Sequence, residues 1–221
     1  MDILLYIIIL IIPVIAQIRI TSAYTKFKKV ENTCKLSGFE VARKILDANG
    51  LEDIYVVETN GNLTDHYDPS RKVIKLSKDI FHGESIAAAS VAAHECGHAI
   101  QDKDNYTFMR IRSFLVPIVN LISGFSWVVI LIGLFTEMFN IFAIGIALIS
   151  ITLVFQLITL PVEFDASKRA NEELVKLNLI GNGEITFVKQ MLSAAAMTYV
   201  ASVLTSVLEI VRLILIFNDE K

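Results

Sequence analysis

The residues with the clearest chemical potential form a short motif near the middle of the chain, where His94, Glu95 and His98 have the spacing His-Glu-x-x-His. On an α-helix, His94 and His98 project from the same face, so their imidazoles can bind one tetrahedral metal ion. Glu95 lies beside that face. It can take a proton from a metal-activated water as the water attacks a peptide carbonyl, and then deliver it to the leaving amine. The motif predicts a zinc peptidase with Glu95 as general base.

The segment before the motif favours a buried helix. Residues 86–93 are almost all small or apolar and carry no charge, so we expect a helix from about Glu84 to Gln101. Histidines on a buried helix need polar partners or a metal ion. The alternative to a metal site is a pair of core histidines that bond to backbone groups. Cys96, between the two histidines, points away from them and is expected to be a small core residue.

A catalytic zinc ion needs a third protein ligand and an open position for water. Glu163 is the candidate, because Pro161 suits the first turn of a helix and would bring Glu163 to the site at the membrane surface. One alternative is that Glu163 is a solvated acid at a helix N-terminus. Another is that Asp165 is the ligand, although it points to a different face. One zinc ion is expected from these ligand types, which would also accept Mn, Co or Fe.

One further histidine is a candidate for stabilising the transition state. Three runs are strand-like: residues 54–58, 63–68 and 71–77. The turn signal Asn60-Gly61 separates the first two, so a small β-meander is expected. If this sheet lies above the zinc helix, His66 or Tyr67 can stabilise the oxyanion of the tetrahedral intermediate. The alternative is that His66 is a polar residue near a turn, with no part in the chemistry.

The composition places these residues in a mainly α integral membrane protein with three or four transmembrane helices. The 221 residues are 54% hydrophobic, with a mean hydropathy of +0.58, which is too apolar for a soluble domain. Residues 3–20 are expected to be a retained anchor, because no basic residue precedes the apolar run and no small-residue cleavage site follows it. Residues 114–160 predict a transmembrane hairpin, and residues 191–217 a C-terminal membrane helix in which Glu209 and Arg212 can pair.

The basic residues predict the orientation of the chain in the cell membrane. Of the 20 Lys and Arg, fourteen lie in residues 19–112 and four in residues 168–189, whereas the loop of the hairpin has none. By the positive-inside rule, the segment 22–112 with the zinc helix and the segment 161–190 with the third ligand face the cytoplasm. We therefore expect one multi-pass unit in the lipid bilayer with a cytoplasmic active site. No basic cluster has interleaved aromatic residues, so no nucleic-acid partner is expected.

Together these features resemble the bacterial YugP-type neutral zinc metallopeptidases. The resemblance rests on the N-terminal anchor, the motif His94–His98, the hairpin and the segment Pro161–Ser167. It also includes the segments Asp65–Pro69 and Ala194–Val200. A more distant likeness is to the HtpX and CAAX-prenyl membrane proteases, where a Glu-aromatic-x-Ala-Asp motif supplies the third zinc ligand. That likeness implies a gluzincin-like region in which Glu163 binds the metal.

The sequence departs from the distant relatives at one position, where Ser167 stands in place of the closing Asp. Such an Asp often orients a zinc-bound histidine, so Ser167, or Asn171 one turn further on, is the candidate for that task. The resemblance implies a membrane-bound zinc endopeptidase acting on polypeptide or membrane-protein substrates. The competing class is a zinc-binding membrane scaffold or chaperone without proteolytic turnover. Glu95 argues against it, because a non-catalytic site has no use for a base beside the metal.

Overall fold

The protein is mainly helical in the computed structural model, which describes residues 2–219. The helices are α1 (Asp2–Phe27), α2 (Gly38–Ala48), α3 (Lys78–His82), α4 (Ile86–Lys103), α5 (Thr107–Phe135), α6 (Phe139–Lys176) and α7 (Ile185–Asp219). The strands are β1 (Tyr55–Thr59), β2 (His66–Asp68) and β3 (Val73–Ser77). The mainly α class with a small β element is confirmed.

Four of these helices are long and apolar enough to cross a membrane. They are Ile3–Phe27, Thr107–Phe135, Phe139–Lys176 and Ile185–Ile216. Many large apolar side chains on them, such as Ile3, Phe114 and Phe135, are exposed, as expected of side chains that face lipid. The predicted hairpin is present as α5 and α6, and the C-terminal segment forms one continuous helix, α7.

The helix that carries Glu163 does not begin at Pro161. Helix α6 runs without a break from Phe139 to Lys176, and Pro161 lies inside it. The prediction of a separate helix over residues 161–190 was therefore wrong. A proline inside a helix removes one backbone hydrogen bond, but transmembrane helices tolerate it because neighbouring groups and local adjustments satisfy the freed carbonyl.

The chain divides into two compact units. The first, here called the membrane unit, contains α1 as far as Gln17, α5 from Arg110, α6 as far as Pro161, and α7 from Met197. Its buried apolar residues include Ile130 on α5 and Phe142 on α6. A Cβ on Gly133 would lie 2.4 Å from the backbone nitrogen of Phe142, so this glycine allows α5 and α6 to approach closely.

The second unit, here called the motif unit, contains residues 18–109 and 162–196. Its core forms around α4, which is buried along most of its length. Five fully buried alanines of α4 allow close packing of its neighbours: Ala87, Ala88, Ala89, Ala92 and Ala93. Helix α2 begins with a capping box formed by Ser37 and Glu40. As predicted, Cys96 is a core residue; its thiol is fully buried, 3.6 Å from the carbonyl oxygen of Ala42.

The three strands form a sheet of order β1-β3-β2, with β3 parallel to β1 and antiparallel to β2. The predicted meander was wrong, because β1 does not pair with β2. Strand β3 is buried on nearly every residue and takes the central position, whereas β1 and β2 are more exposed and form the edges. Asn60 and Gly61 open a longer loop in which Gly61 has φ +103° and Leu63 φ +56°, so no tight two-residue hairpin joins β1 to β2.

Candidate metal centre

Helix α4 places the two histidines of the motif on one face. The helix begins after Ser85, whose hydroxyl accepts a hydrogen bond from the backbone N–H of Ala88 at 3.1 Å. His94 and His98 lie one turn apart, and their ring centroids are 4.8 Å apart with the rings nearly perpendicular. The predicted zinc helix is therefore present, and both imidazoles face a common point.

Helix α6 brings Glu163 to the same point. The approach is possible because residue 97 is glycine: a Cβ there would lie 2.5 Å from the backbone oxygen of Ala166. Glu163 is buried, with 2% of its surface exposed. Its Oε2 atom lies 3.3 Å from Nε2 of His94 and 3.7 Å from Nε2 of His98.

These three side chains fit a zinc ion. One donor atom from each of His94, His98 and Glu163 lies within 4.8 Å of the others. Two donors bound about 2.0–2.1 Å from a tetrahedral ion are about 3.3–3.4 Å apart, close to the two separations from Glu163. Two imidazoles and one carboxylate, with a fourth position left for water, are the donor set of catalytic zinc sites. Within residues 2–219 this is the one group of His, Cys, Asp and Glu with such geometry.

Glu95 lies in a buried environment suited to a proton carrier. Burial raises the pKa of its carboxyl group to about 7, and the negative charge of Glu163 acts in the same direction. The charge of His94 opposes this shift, as does a hydrogen bond from the backbone N–H of Tyr67 on the edge strand β2. A bound cation would further favour the carboxylate form, which is the form that accepts a proton.

A buried amide fixes the orientation of His98. Gln101 is fully buried, and its Nε2 donates to the backbone oxygen of Val162 at 2.8 Å and to Oδ2 of Asp165 at 2.9 Å. Its Oε1 is therefore the atom that faces Nδ1 of His98, at 3.0 Å. An imidazole that donates from Nδ1 presents the lone pair of Nε2 to a metal. Gln101 thus connects one candidate zinc ligand on α4 to the helix that carries another.

The comparisons with known proteins agree with this geometry. A family model described as "Putative neutral zinc metallopeptidase" matches residues 2–218. The chain belongs to this family. It is also 46% identical over 202 residues to the "Putative membrane protease YugP" of Bacillus subtilis (strain 168), covering 91% of this chain and 90% of the relative. No solved structure matches. The YugP-type resemblance is confirmed, and this metallopeptidase family member is a multi-pass membrane protein.

Ser167, the residue that replaces the closing Asp of more distant zinc peptidases, lies next to a ligand in this family member. Its Oγ is 3.3 Å from Nδ1 of His94, a position from which it can accept the Nδ1–H. The side chain of Asn171 instead donates to the backbone oxygen of Ser167 at 2.8 Å. Of the two residues predicted to orient a histidine, Ser167 is the one that contacts a ring.

The remaining candidates lie outside the metal cluster. Oδ2 of Asp165 accepts a hydrogen bond from Gln101 and lies 2.6 Å from Nε of Arg169. The Asp165 carboxylate therefore contacts Gln101 and is not one of the candidate ligands. His66 is exposed, with Nδ1 2.8 Å from the backbone oxygen of Thr64. Its role as an oxyanion stabiliser stays a prediction. The sequence reasoning missed Gln101, although a glutamine three residues after His98 on a buried helix was a usable signal.

Proposed function

We propose that this family member is a membrane-bound zinc endopeptidase that hydrolyses peptide bonds in polypeptide or membrane-protein substrates. The observation that carries the proposal is the convergence of His94, His98 and Glu163 from two helices, with Glu95 buried beside them. The family and the relative in Bacillus subtilis support zinc, peptidase chemistry and a membrane location.

The side chains divide the chemistry between them. His94, His98 and Glu163 would hold one zinc ion, which when bound supplies a Lewis acid that acidifies water and polarises a peptide carbonyl. Glu95 takes a proton from the attacking water and transfers it to the leaving amine. Gln101 holds the ring of His98 in the tautomer needed for metal binding. His66 is retained as the candidate that stabilises the oxyanion.

We place this chemistry on the cytoplasmic face of the cell membrane. The support is the distribution of charge: eighteen of the 20 Lys and Arg lie in residues 19–112 and 168–189, whereas the loop between α5 and α6 contains none.

The competing function is a zinc-binding scaffold or chaperone. A structural zinc site is usually closed by four protein ligands, whereas this cluster has three. Glu95 is also buried beside the candidate ligands, where its carboxyl group is placed to carry a proton, a task that a scaffold does not need. Both observations favour the enzyme.

Cleavage by the Glu95→Gln variant tests the proposal. Full-length protein, purified in detergent with zinc, is assayed on casein and on a detergent-solubilised membrane protein, and its metal content is measured on the same sample. The expected result is loss of cleavage with unchanged zinc. The matched control is Glu172→Gln, an exposed carboxylate on α6, which should cleave normally. Full activity in Glu95→Gln would refute the proposed base, and wild-type protein that binds zinc but cleaves nothing would favour the scaffold.

A further inference from the structure

The membrane unit contains a cavity of about 510 Å³ lined by α1, α5, α6 and α7. Its volume falls in the range of sites that bind small molecules or short polymer segments. The lining is mixed: apolar side chains share it with hydroxyl groups, an amide and one pair of charges. Such a polar lining needs a reason in a unit that otherwise faces hydrocarbon.

The cavity lies at the depth of the membrane interior. Ser126 lines it from α5, near the middle of the apolar stretch 114–135, and Thr152 lines it from α6, near the middle of the stretch 139–160. Each stretch is about as long as the hydrocarbon layer is thick. A ligand in this cavity is therefore surrounded by lipid tails and not by headgroups.

Three oxygen atoms of the lining are buried and have no hydrogen-bond partner among the described residues. They belong to Thr152, Gln156 and Thr205. Other hydroxyls on the same helices behave differently: Ser150 and Ser202 donate to the carbonyl four residues earlier, at 2.9 and 3.0 Å. A polar atom in hydrocarbon is strongly disfavoured unless it is paired. These oxygens are recessed in the wall of the cavity, so a rotation of each side chain is needed to present them to a guest.

The charges of the lining are paired with each other. Nη2 of Arg212 lies 2.6 Å from Oε1 of Glu209, and the guanidinium lies 5.3 Å from the ring centroid of Tyr6. Among the residues that the structure describes, no other Lys, Arg, Asp or Glu lines the cavity. It therefore favours a guest that is uncharged and carries both donors and acceptors.

A polypeptide backbone meets these conditions. Each residue offers an N–H and a C=O without net charge, and a lipid headgroup does not reach the middle of the bilayer. A regular transmembrane helix uses its backbone groups internally, so only an unwound segment has groups to offer the lining. We propose that this cavity binds an unwound, uncharged segment of a transmembrane polypeptide. The inference rests on the proposed function, because such a segment is a form of membrane-protein substrate that a peptidase can use.

The single tryptophan of the chain, Trp127, lines the cavity and is 44% exposed, so its fluorescence responds both to a guest in the cavity and to collisions in the surrounding lipid. The probes are two synthetic Leu-Ala transmembrane peptides, each with a brominated phenylalanine at its centre; one is an unbroken helix and the other has a central Gly-Asn-Gly. The full-length protein, as the Glu95→Gln variant, is placed in phosphatidylcholine vesicles with each peptide. We expect saturable quenching of Trp127 by the interrupted peptide only. Since no cleavage is needed, this result is independent of whether the proposed peptidase function is correct.

Substitutions in the lining test the hydrogen bonds. Thr205→Val and Gln156→Leu should each weaken the apparent affinity about threefold, and the double variant about tenfold, as expected for hydrogen bonds inside a membrane. Ser202→Ala and Ser150→Ala, whose hydroxyls bond within their own helices, are the matched controls and should bind normally. Zinc content on the same samples shows that the motif unit is folded, and circular dichroism with thermal unfolding shows that the helices of the membrane unit are formed.

Three results would overturn the proposal: equal quenching by the unbroken helix, quenching that does not saturate, and saturable binding that is unchanged in the double variant. The first would indicate general helix association. The second would indicate random collisions in the bilayer with a cavity that holds only water. The comparison of the two peptides uses the protein with its natural cavity lining. It therefore tests the proposal even if a lining variant fails to fold.

Discussion

Replacement of Gln101 by leucine removes a side chain that contacts both helices of the candidate metal centre, His98 on α4 and Val162 and Asp165 on α6. Leucine keeps most of the buried volume, but it removes the acceptor facing His98 Nδ1 and the two donors to Val162 and Asp165. Loss of a partner outside the ligands typically lowers metal affinity ten- to a hundredfold, which is about 1.4–2.7 kcal/mol. We expect zinc affinity of Gln101→Leu to fall within this range.

The substitution should also lower the stability of the metal-free protein. Gln101 is fully buried, and its removal leaves the Nδ1–H of His98, which is also buried, without its acceptor. An unsatisfied buried group costs about 1–3 kcal/mol, so the melting temperature of the metal-free variant should drop.

The assay is competition for zinc against a chromogenic chelator, together with thermal unfolding of the metal-free protein in the same detergent. The absorption spectrum of bound Co²⁺ reports ligand geometry separately, and a distorted spectrum is expected because His98 is no longer held. Lys168→Leu, an exposed change on α6, is the control and should match the wild type. Gln101→Leu with wild-type zinc affinity and an unchanged cobalt spectrum would refute the role of Gln101 as a positioning residue.

Three other predictions concern the third ligand, the packing of α6 and the topology. Glu163→Gln should lower zinc affinity at least ten- to a hundredfold, and Asp165→Asn much less; the reverse order in a zinc titration would mean that the ligand is the other carboxylate. Gly97→Ala should lower both the melting temperature and the zinc affinity, because its Cβ would meet the backbone of α6 at 2.5 Å; wild-type values for both would contradict this packing. In a background without the native cysteines, a cysteine at Glu137 should be labelled from outside intact cells and one at Lys72 should not; the opposite pattern would invert the topology.

The placement of the candidate ligands on α4 was predictable because the information is local. The spacing of His94 and His98 fixes their common face once the segment is helical, and the apolar residues before them indicate a buried helix. Glu163 was chosen from its place after Pro161 at the end of the hairpin, and the resemblance to related peptidases supported it; 64 residues separate it from His98, and no local pattern connects the two.

The errors came from rules applied without knowledge of the packing. In a transmembrane segment, Pro161 is compatible both with the start of a helix and with a position inside one. Which of the two occurs depends on the packing of the neighbouring helices, and here Pro161 lies inside α6. The turn signal Asn60-Gly61 predicted a hairpin of β1 and β2. The strand order instead follows burial: β3 is the most buried strand and lies between the other two. Gln101 was missed because its partners on α6 are distant in sequence.

Zinc titration of metal-stripped protein, followed by cleavage at each step, tests most directly whether this centre is a catalytic zinc site. Bound zinc should reach one ion per chain, and cleavage of casein should rise in proportion to it and then level off. In Glu163→Gln the rise should move to higher free zinc, and in Glu95→Gln zinc should bind with no cleavage at any level. Cleavage by metal-free wild-type protein, or full zinc occupancy without any cleavage, would contradict the proposed function.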